Sequence, residues 1–213
     1  MSFDFESIKS AVSSFESEKR FSHTLGVADE ACRLGKIFLP AKVKKLRLAG
    51  LLHDITKDFK LEKQLELCEK YGIAVDTKNI VPKLLHAKTG CEFSREIFGR
   101  ELVDDEVYSG IYYHTTGRRG MTLFEAIIYL ADYIEQGRTF FDCVELRKFF
   151  YERIATASSY EEKIEVLRKT MVLSFDMTIK NLIEEGKQID SDTVDARNYF
   201  LTGIAVFSSE WEE

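Results

Sequence analysis

The sequence predicts an all-α protein, and three observations carry that prediction. Only two prolines, Pro40 and Pro82, interrupt the 213 residues, so long helices meet few breakers. Apolar residues recur at helical spacing, as Leu25, Ala28, Cys32 and Leu34 do within HTLGVADEACRLGKIF. The sequence carries no strong strand alternation with hairpin turns, no internal repeat and no low-complexity segment.

This pattern places helices at 4–18, 21–36, 42–54, 61–70, 80–98, 104–114, 121–136, 142–156, 160–185 and 192–201. In the second, Asp29, Glu30, Arg33 and Lys36 take the side opposite the apolar face. In the third, Val43, Leu46, Ala49 and Leu52 form a single stripe. The seventh is apolar almost all round from Ala126 to Ala131, which marks a central buried helix. It opens with Thr122 and Glu125 at the spacing of a capping box. The ninth is a long amphipathic helix that stops at Gly186.

With 45% hydrophobic and 31% charged residues, the chain can bury a real core. Its length predicts one domain over 1–213, with 140–213 forming C-terminal helices packed on the core. A net charge of -6 argues against duplex nucleic acid as the main partner, because phosphate binding shows as a basic excess. No apolar run approaches a bilayer span, and MSFDFESIKS lacks the basic-then-apolar plan of a secretory signal. A cytoplasmic protein with no membrane partner is expected. Cys32, Cys68, Cys91 and Cys143 are scattered without a CxxC pair, so reduced and mostly buried thiols are expected.

The chemistry concentrates in five polar intrusions. His23, His53, His86 and His114 each lie on or at the end of an apolar helical segment, and Asp132 sits inside the run AIIYLADYI. Singly, a histidine on an apolar face is usually a hydrogen-bonded core residue, and Asp132 could simply pair with Arg or Lys. Together they have one shared explanation, a metal centre inside a helical bundle. His53 and Asp54 project about 100° apart from one helix, so both can reach an ion at its end. Imidazole plus carboxylate suits iron, manganese or zinc and disfavours a thiolate site.

The ordered set His23, His53-Asp54 and Asp132 resembles the H…HD…D pattern of the HD-domain metal-dependent phosphohydrolases. Within that superfamily the chain is similar to the YqeK group, the symmetrical bis(5'-nucleosyl)-tetraphosphatases. The matching segments are RFSHTLGVADEA, AGLLHDITKDF, LLHAKTG, YYHTTGR, AIIYLADYIEQGR and DTVDARNYFL, which together span nearly the whole chain. The resemblance implies an HD-type helical bundle with additional C-terminal helices. It implies that His23, His53, Asp54 and Asp132 hold one metal, that Asp54 reaches a second, and that His86 and His114 bind that second ion. The ions it implies are a pair of irons, whereas composition leaves manganese and zinc open.

A hydroxide bridging two such ions would attack phosphorus, and the implied reaction cuts diadenosine tetraphosphate into two ADP. Asp54, Lys57 and Asp58 are the expected catalytic residues. Asp58 could serve as a ligand-orienting partner, a proton acceptor or an exposed helix-end acid. Arg20, Lys57, Thr115, Thr116, Gly117 and Arg118 are the expected substrate contacts, the last four because HTTGRRG offers hydroxyls, glycine N–H groups and guanidinium directly after His114. Competing readings are an HD-type nucleotidase, a guanosine-tetraphosphate hydrolase, and a non-catalytic nucleotide-binding HD module. No G-Y-P segment follows any histidine, which disfavours a cyclic-dinucleotide phosphodiesterase. The stretch from Phe140 to Asp190 carries no motif and reads as a packing helix or an oligomer surface, such as that of a homodimer.

Overall fold

A computed structural model of the chain describes residues 4–75, 81–203 and 207. Among these the regular elements are helices alone: α1 (Phe5–Ser13), α2 (Glu18–Phe38), α3 (Val43–Leu52), α4 (Leu61–Tyr71), α5 (Pro82–Phe98), α6 (Asp105–Tyr112), α7 (Leu123–Ile134), α8 (Phe141–Ile154), α9 (Tyr160–Glu184) and α10 (Ser191–Thr202). A single 3₁₀ turn, Pro40–Lys42, leads into α3. The first residue of the helix expected at 80–98 lies outside the described residues.

The helix ends follow local chemistry. The Ser17 hydroxyl accepts from the Arg20 N–H at the start of α2, and Asp104 accepts from Val107 at the start of α6. Thr122 and Glu125 form the expected reciprocal capping box, and Ser159 with Glu162 forms a second at the start of α9. Because Ser17 is extended to serve as this cap, the first helix ends at Ser13 instead of running to 18. The expected helices 42–54 and 104–114 also stop short, at Leu52 and Tyr112. Beyond Leu52 the backbone winds on through i to i+3 bonds, Ile55 to Leu52, Lys57 to Asp54 and Phe59 to Thr56. That tighter winding keeps Lys57 on the face of Asp54, and their charges lie 3.8 Å apart.

Helix α7 lies at the centre, with every residue from Leu123 to Ala131 buried. It contacts α2, α3 and α6 from the first half of the chain and α8 and α9 from the second, while α10 packs on α9. Each large side chain buried here contributes about 1.5–3 kcal/mol. One apolar cluster runs from Ile8 and Val12 through Leu46, Leu52 and Ile127 to Phe175 and Phe200.

The closest approach of α2 to α3 depends on Gly50. A Cβ there would stand 2.8 Å from the Cα of Ala28, so only glycine lets the two backbones meet one turn before His53. Among the described residues no helix is long and apolar enough to cross a membrane. The four cysteines are free, with Cys32 half-buried and the others buried, and burial pushes the Cys91 thiol up to about 12.

Candidate metal centre

The six expected ligands converge from five helices. His23 comes from the second turn of α2, His53 and Asp54 from the turn closing α3, His86 from α5, His114 from just past α6, and Asp132 from α7. The carboxylate of Asp54 divides them. Its Oδ2 faces His53 Nε2 at 3.5 Å and His23 Nε2 at 3.9 Å. Its Oδ1 faces His86 Nε2 at 3.0 Å and His114 Nε2 at 3.4 Å. Asp132 Oδ1 closes the first group, 2.9 Å from His23 Nε2 and 3.7 Å from His53 Nε2. In the second group the Nε2 atoms of His86 and His114 are 3.1 Å apart.

Three of the imidazoles are oriented from behind. His53 donates through Nδ1 to the Gly50 carbonyl at 2.8 Å, His114 to the Ile111 carbonyl at 2.6 Å, and His23 to Glu135 Oε1 at 3.1 Å. For His53 and His114 the donation fixes the tautomer that leaves an Nε2 lone pair facing the cluster, and for His23 it leaves Nε2 as the atom turned to the cluster, the arrangement found behind metal-bound histidines. His23 Nε2, His53 Nε2 and Asp54 Oδ1 are buried without a hydrogen-bond partner. Buried polar atoms left so are costly, and here they point at one another around a common centre. The C-termini of α3 and α6 end at this point, and their partial negative charge favours a cation. His23, His53 and Asp132 form one group whose donor atoms lie within 4.8 Å of each other, and His53, Asp54 and His114 form another. The donor set and its orphaned atoms fit divalent cations bound through nitrogen and oxygen.

Three cations frame the cluster. Arg20 Nη1 donates to Asp54 Oδ2 at 2.8 Å, and Lys57 Nζ lies 2.9 Å from His86 Nε2. Arg138 bonds both the Asp132 carboxylate and, at 2.8 Å, its carbonyl. So both readings of Asp132 apply at once, since it pairs with an arginine and faces two imidazoles. Burial opposes ionisation of Asp54 and Asp132. The imidazoles of His53, His114 and His86 packed around it nevertheless hold Asp54 well below the usual carboxylate range, and the Arg138 guanidinium does the same for Asp132. Burial pushes His53 down and His86 down to about 3, which keeps both neutral. Burial opposes the charge on His23 too, but the Asp132 carboxylate beside it and the hydrogen bond to Glu135 raise it to about 9.

The other expected residues divide in two. Arg20, His23 and Asp58 line an open cleft of about 770 Å³ beside the cluster, together with Glu135, Arg138 and Phe140. Asp58 accepts from the Ser17 N–H at 2.9 Å and stands 3.7 Å from Arg20 Nε, which ties it to the start of α2. The HTTGRRG segment has different neighbours. Arg118 pairs with the buried Glu125 at 3.0 Å and lies over the Tyr113 ring, and Thr116 donates to the Gly117 carbonyl. Gly117 has a φ of 65°, and a Cβ on it would press within 2.7 Å of Phe175. These contacts give Gly117 a packing reason and Arg118 a buried partner of its own, while Thr115 is half-buried beside them.

Glu135 and Arg138 were not expected as site residues. A reading of α7 by face could have found Glu135, one turn beyond Asp132. Arg138 follows the helix, and nothing in its local pattern foretells that it folds back onto Asp132. The turn that carries it is gathered by Arg147, which donates to the carbonyls of Ile134, Glu135 and, at 2.8 Å, Arg138.

Residues 20–137 match the HD-domain family. The chain belongs to that family. Among its relatives, the symmetrical bis(5'-nucleosyl)-tetraphosphatase of Staphylococcus aureus is 33% identical over 183 residues, 86% of this chain and 87% of that protein. The protein of the same name from Bacillus subtilis is 31% identical over 186 residues, 87% of this chain and 91% of its own. A crystal structure from Clostridium acetobutylicum, of a predicted HD superfamily hydrolase involved in NAD metabolism, superposes with a TM-score of 0.80 at 36% identity. It covers 95% of this chain and 100% of its own. This HD-family protein therefore carries its histidines and aspartates on a fold shared over almost its full length.

Proposed function

We propose that the chain is a symmetrical bis(5'-nucleosyl)-tetraphosphatase, which with one water splits diadenosine tetraphosphate into two ADP. The observation that carries this reading is the division of Asp54. One oxygen faces His23 and His53, the other His86 and His114, so a single carboxylate spans two adjacent nitrogen-rich subsites. The relatives' shared name supports the substrate.

In this reading His23, His53, Asp54 and Asp132 hold one divalent ion, and Asp54, His86 and His114 hold a second. We take both to be iron, which the resemblance to the family suggests. Bound there, such ions draw charge from phosphoryl oxygens and lower the pKa of water enough for it to act as a nucleophile near neutral pH.

The chain's own residues do the rest. Arg20 and Arg138 place guanidinium groups on the cleft wall, where they receive the phosphates flanking the scissile bond. Lys57, half-buried between Asp54 and His86, adds positive charge next to the reacting phosphorus. Glu135 holds the His23 ring in register, and Asp58 positions Arg20; both are positioning residues. Thr115, Thr116, Gly117 and Arg118 shape the wall behind His114. We further read the chain as one HD-type domain with its C-terminal helices packed on the core, a reading supported by the continuous apolar cluster.

The test is to incubate iron-loaded protein with diadenosine tetraphosphate and resolve the products by chromatography. ADP as the sole product supports the proposal. AMP with ATP would keep a hydrolytic site and reject symmetrical cleavage. Metal-loaded protein that gives no product would move the reading to another nucleotide or to a binding module.

A further inference from the structure

We propose that Phe140 is the shelf on which a nucleobase of the bound nucleotide stacks. The inference rests on the reading of the cluster as a phosphate-handling site and adds the nucleoside end of the ligand. Phe140 is 70% exposed, although a ring of that size normally gains by burial. It lines the same cleft as Arg20, His23 and Arg138. Stacking on an aromatic face requires an accessible ring beside a cationic track for the phosphates, and the cleft combines the two.

Position along the chain fits one nucleotide. Arg138 and Phe140 are two residues apart, a reach of at most about 7 Å, comparable with the single ribose between a base and its first phosphate. The ring also stands on a fixed backbone. Arg147 gathers the carbonyls of Ile134, Glu135 and Arg138, Arg138 is itself bound to Asp132, and Phe140 is the residue from which α8 starts. A shelf held in this way loses little freedom when a ligand covers it.

The next residue provides a built-in control. Phe141 is 76% exposed but does not line the cleft. General surface hydrophobicity would make the two rings equivalent, whereas a base shelf would not.

The experiment is calorimetric titration of metal-loaded protein with ADP and, separately, with inorganic pyrophosphate. ADP should bind the unaltered protein more tightly than pyrophosphate does. Phe140→Ala should weaken ADP about tenfold, the scale of losing one base–aromatic stack, and leave pyrophosphate unchanged. Phe140→Tyr should retain ADP affinity, and Phe141→Ala should alter neither ligand. Equal weakening of both ligands in Phe140→Ala, an unchanged ADP affinity, or the same loss in Phe141→Ala would overturn the proposal. So would pyrophosphate binding as tightly as ADP in the unaltered protein. Because the readout is binding, a protein that failed to cleave diadenosine tetraphosphate would refute the proposed reaction while leaving this test intact.

Discussion

Helix α7 has two kinds of neighbour, and they bury opposite chemistry. Towards α2, α3, α5 and α6 the interior holds imidazoles, two aspartates and three cations around Asp132. Towards α9 and α10 it holds rings, with Tyr129 against Phe175 at 4.6 Å between centroids and Phe175 stacked on Phe200 at 6.1 Å. The buried hydroxyls there, Thr170 and Ser174, are satisfied by carbonyls of their own helix. The difference separates two tasks. The aromatic side has the composition of a stabilising core. The polar side forgoes apolar burial and leaves nitrogen and oxygen atoms without partners, an arrangement that makes physical sense when ions and substrate complete it.

If that division holds, substitutions on the two sides should fail differently. The largest effect is expected from Asp54→Ala, which removes the carboxylate common to both subsites. Turnover should fall about a thousandfold or more, the several kcal/mol that metal-held charge supplies, while the far-UV helical signal persists. Residual activity above a tenth in metal-loaded protein would remove Asp54 from the centre. Phe200→Ala should do the reverse. Emptying that buried site should cost about 3–5 kcal/mol in denaturant unfolding, with kcat of the folded protein within about twofold. An equal collapse of kcat would show that the two sides are not independent.

Next in size is Glu135→Gln, which weakens the hold on His23 Nδ1. We expect metal affinity to drop about 10–100-fold, read as metal content after dialysis against a graded chelator. Unchanged metal retention would make Glu135 irrelevant to the ligand.

The protons give a finer reading of the polar side. His53 and His86 are already neutral near pH 7, whereas His23 keeps its proton up to about 9. Adding metal to stripped protein at pH 7.5 should therefore displace the proton of His23, a release that should fade as pH rises past 9. Titrations in buffers of different ionisation enthalpy measure it, and a release that persists undiminished above pH 9 would contradict the assignment. The sign for stability follows as well. A histidine raised above its unfolded value of 6.5 stabilises the metal-free fold fully below that pH and loses the contribution as pH climbs through 9.

Smallest is Arg118→Ala. Since its guanidinium pairs with the buried Glu125, stability should fall by about 1–2 kcal/mol while KM for the polyphosphate changes less than twofold. A large rise in KM with unaltered stability would return Arg118 to the phosphate contacts and blur the boundary between the two sides.

Much of this was legible in the chain alone. Each expected helix has a counterpart, because breaker-poor periodicity is a local property that survives burial. The discrepancies lie at helix ends, where Ser17 turns into a cap and where α3 and α6 stop before their histidines. There the last turns respond to what they must present, which single-helix periodicity does not encode. Arg118 looked like a phosphate contact because it follows His114, yet the buried acid it meets lies on α7. Arg138 and Arg147 carried no comparable local signal, because their partners are backbone carbonyls and Asp132 across a turn.

By itself, then, the sequence determined that the chain is helical, that α7 is central, and that His23, His53, Asp54, His86, His114 and Asp132 stand out as polar residues within apolar segments. Those properties depend on residue type and spacing along one helix. Only the tertiary structure decided that the two oxygens of Asp54 face different pairs of histidines, that Arg20, Lys57 and Arg138 frame them, and that Phe140 rather than Phe141 lines the cleft. Such facts depend on how separate helices meet, and that is set by close contacts such as Gly50 on Ala28, to which no single helix's pattern is sensitive.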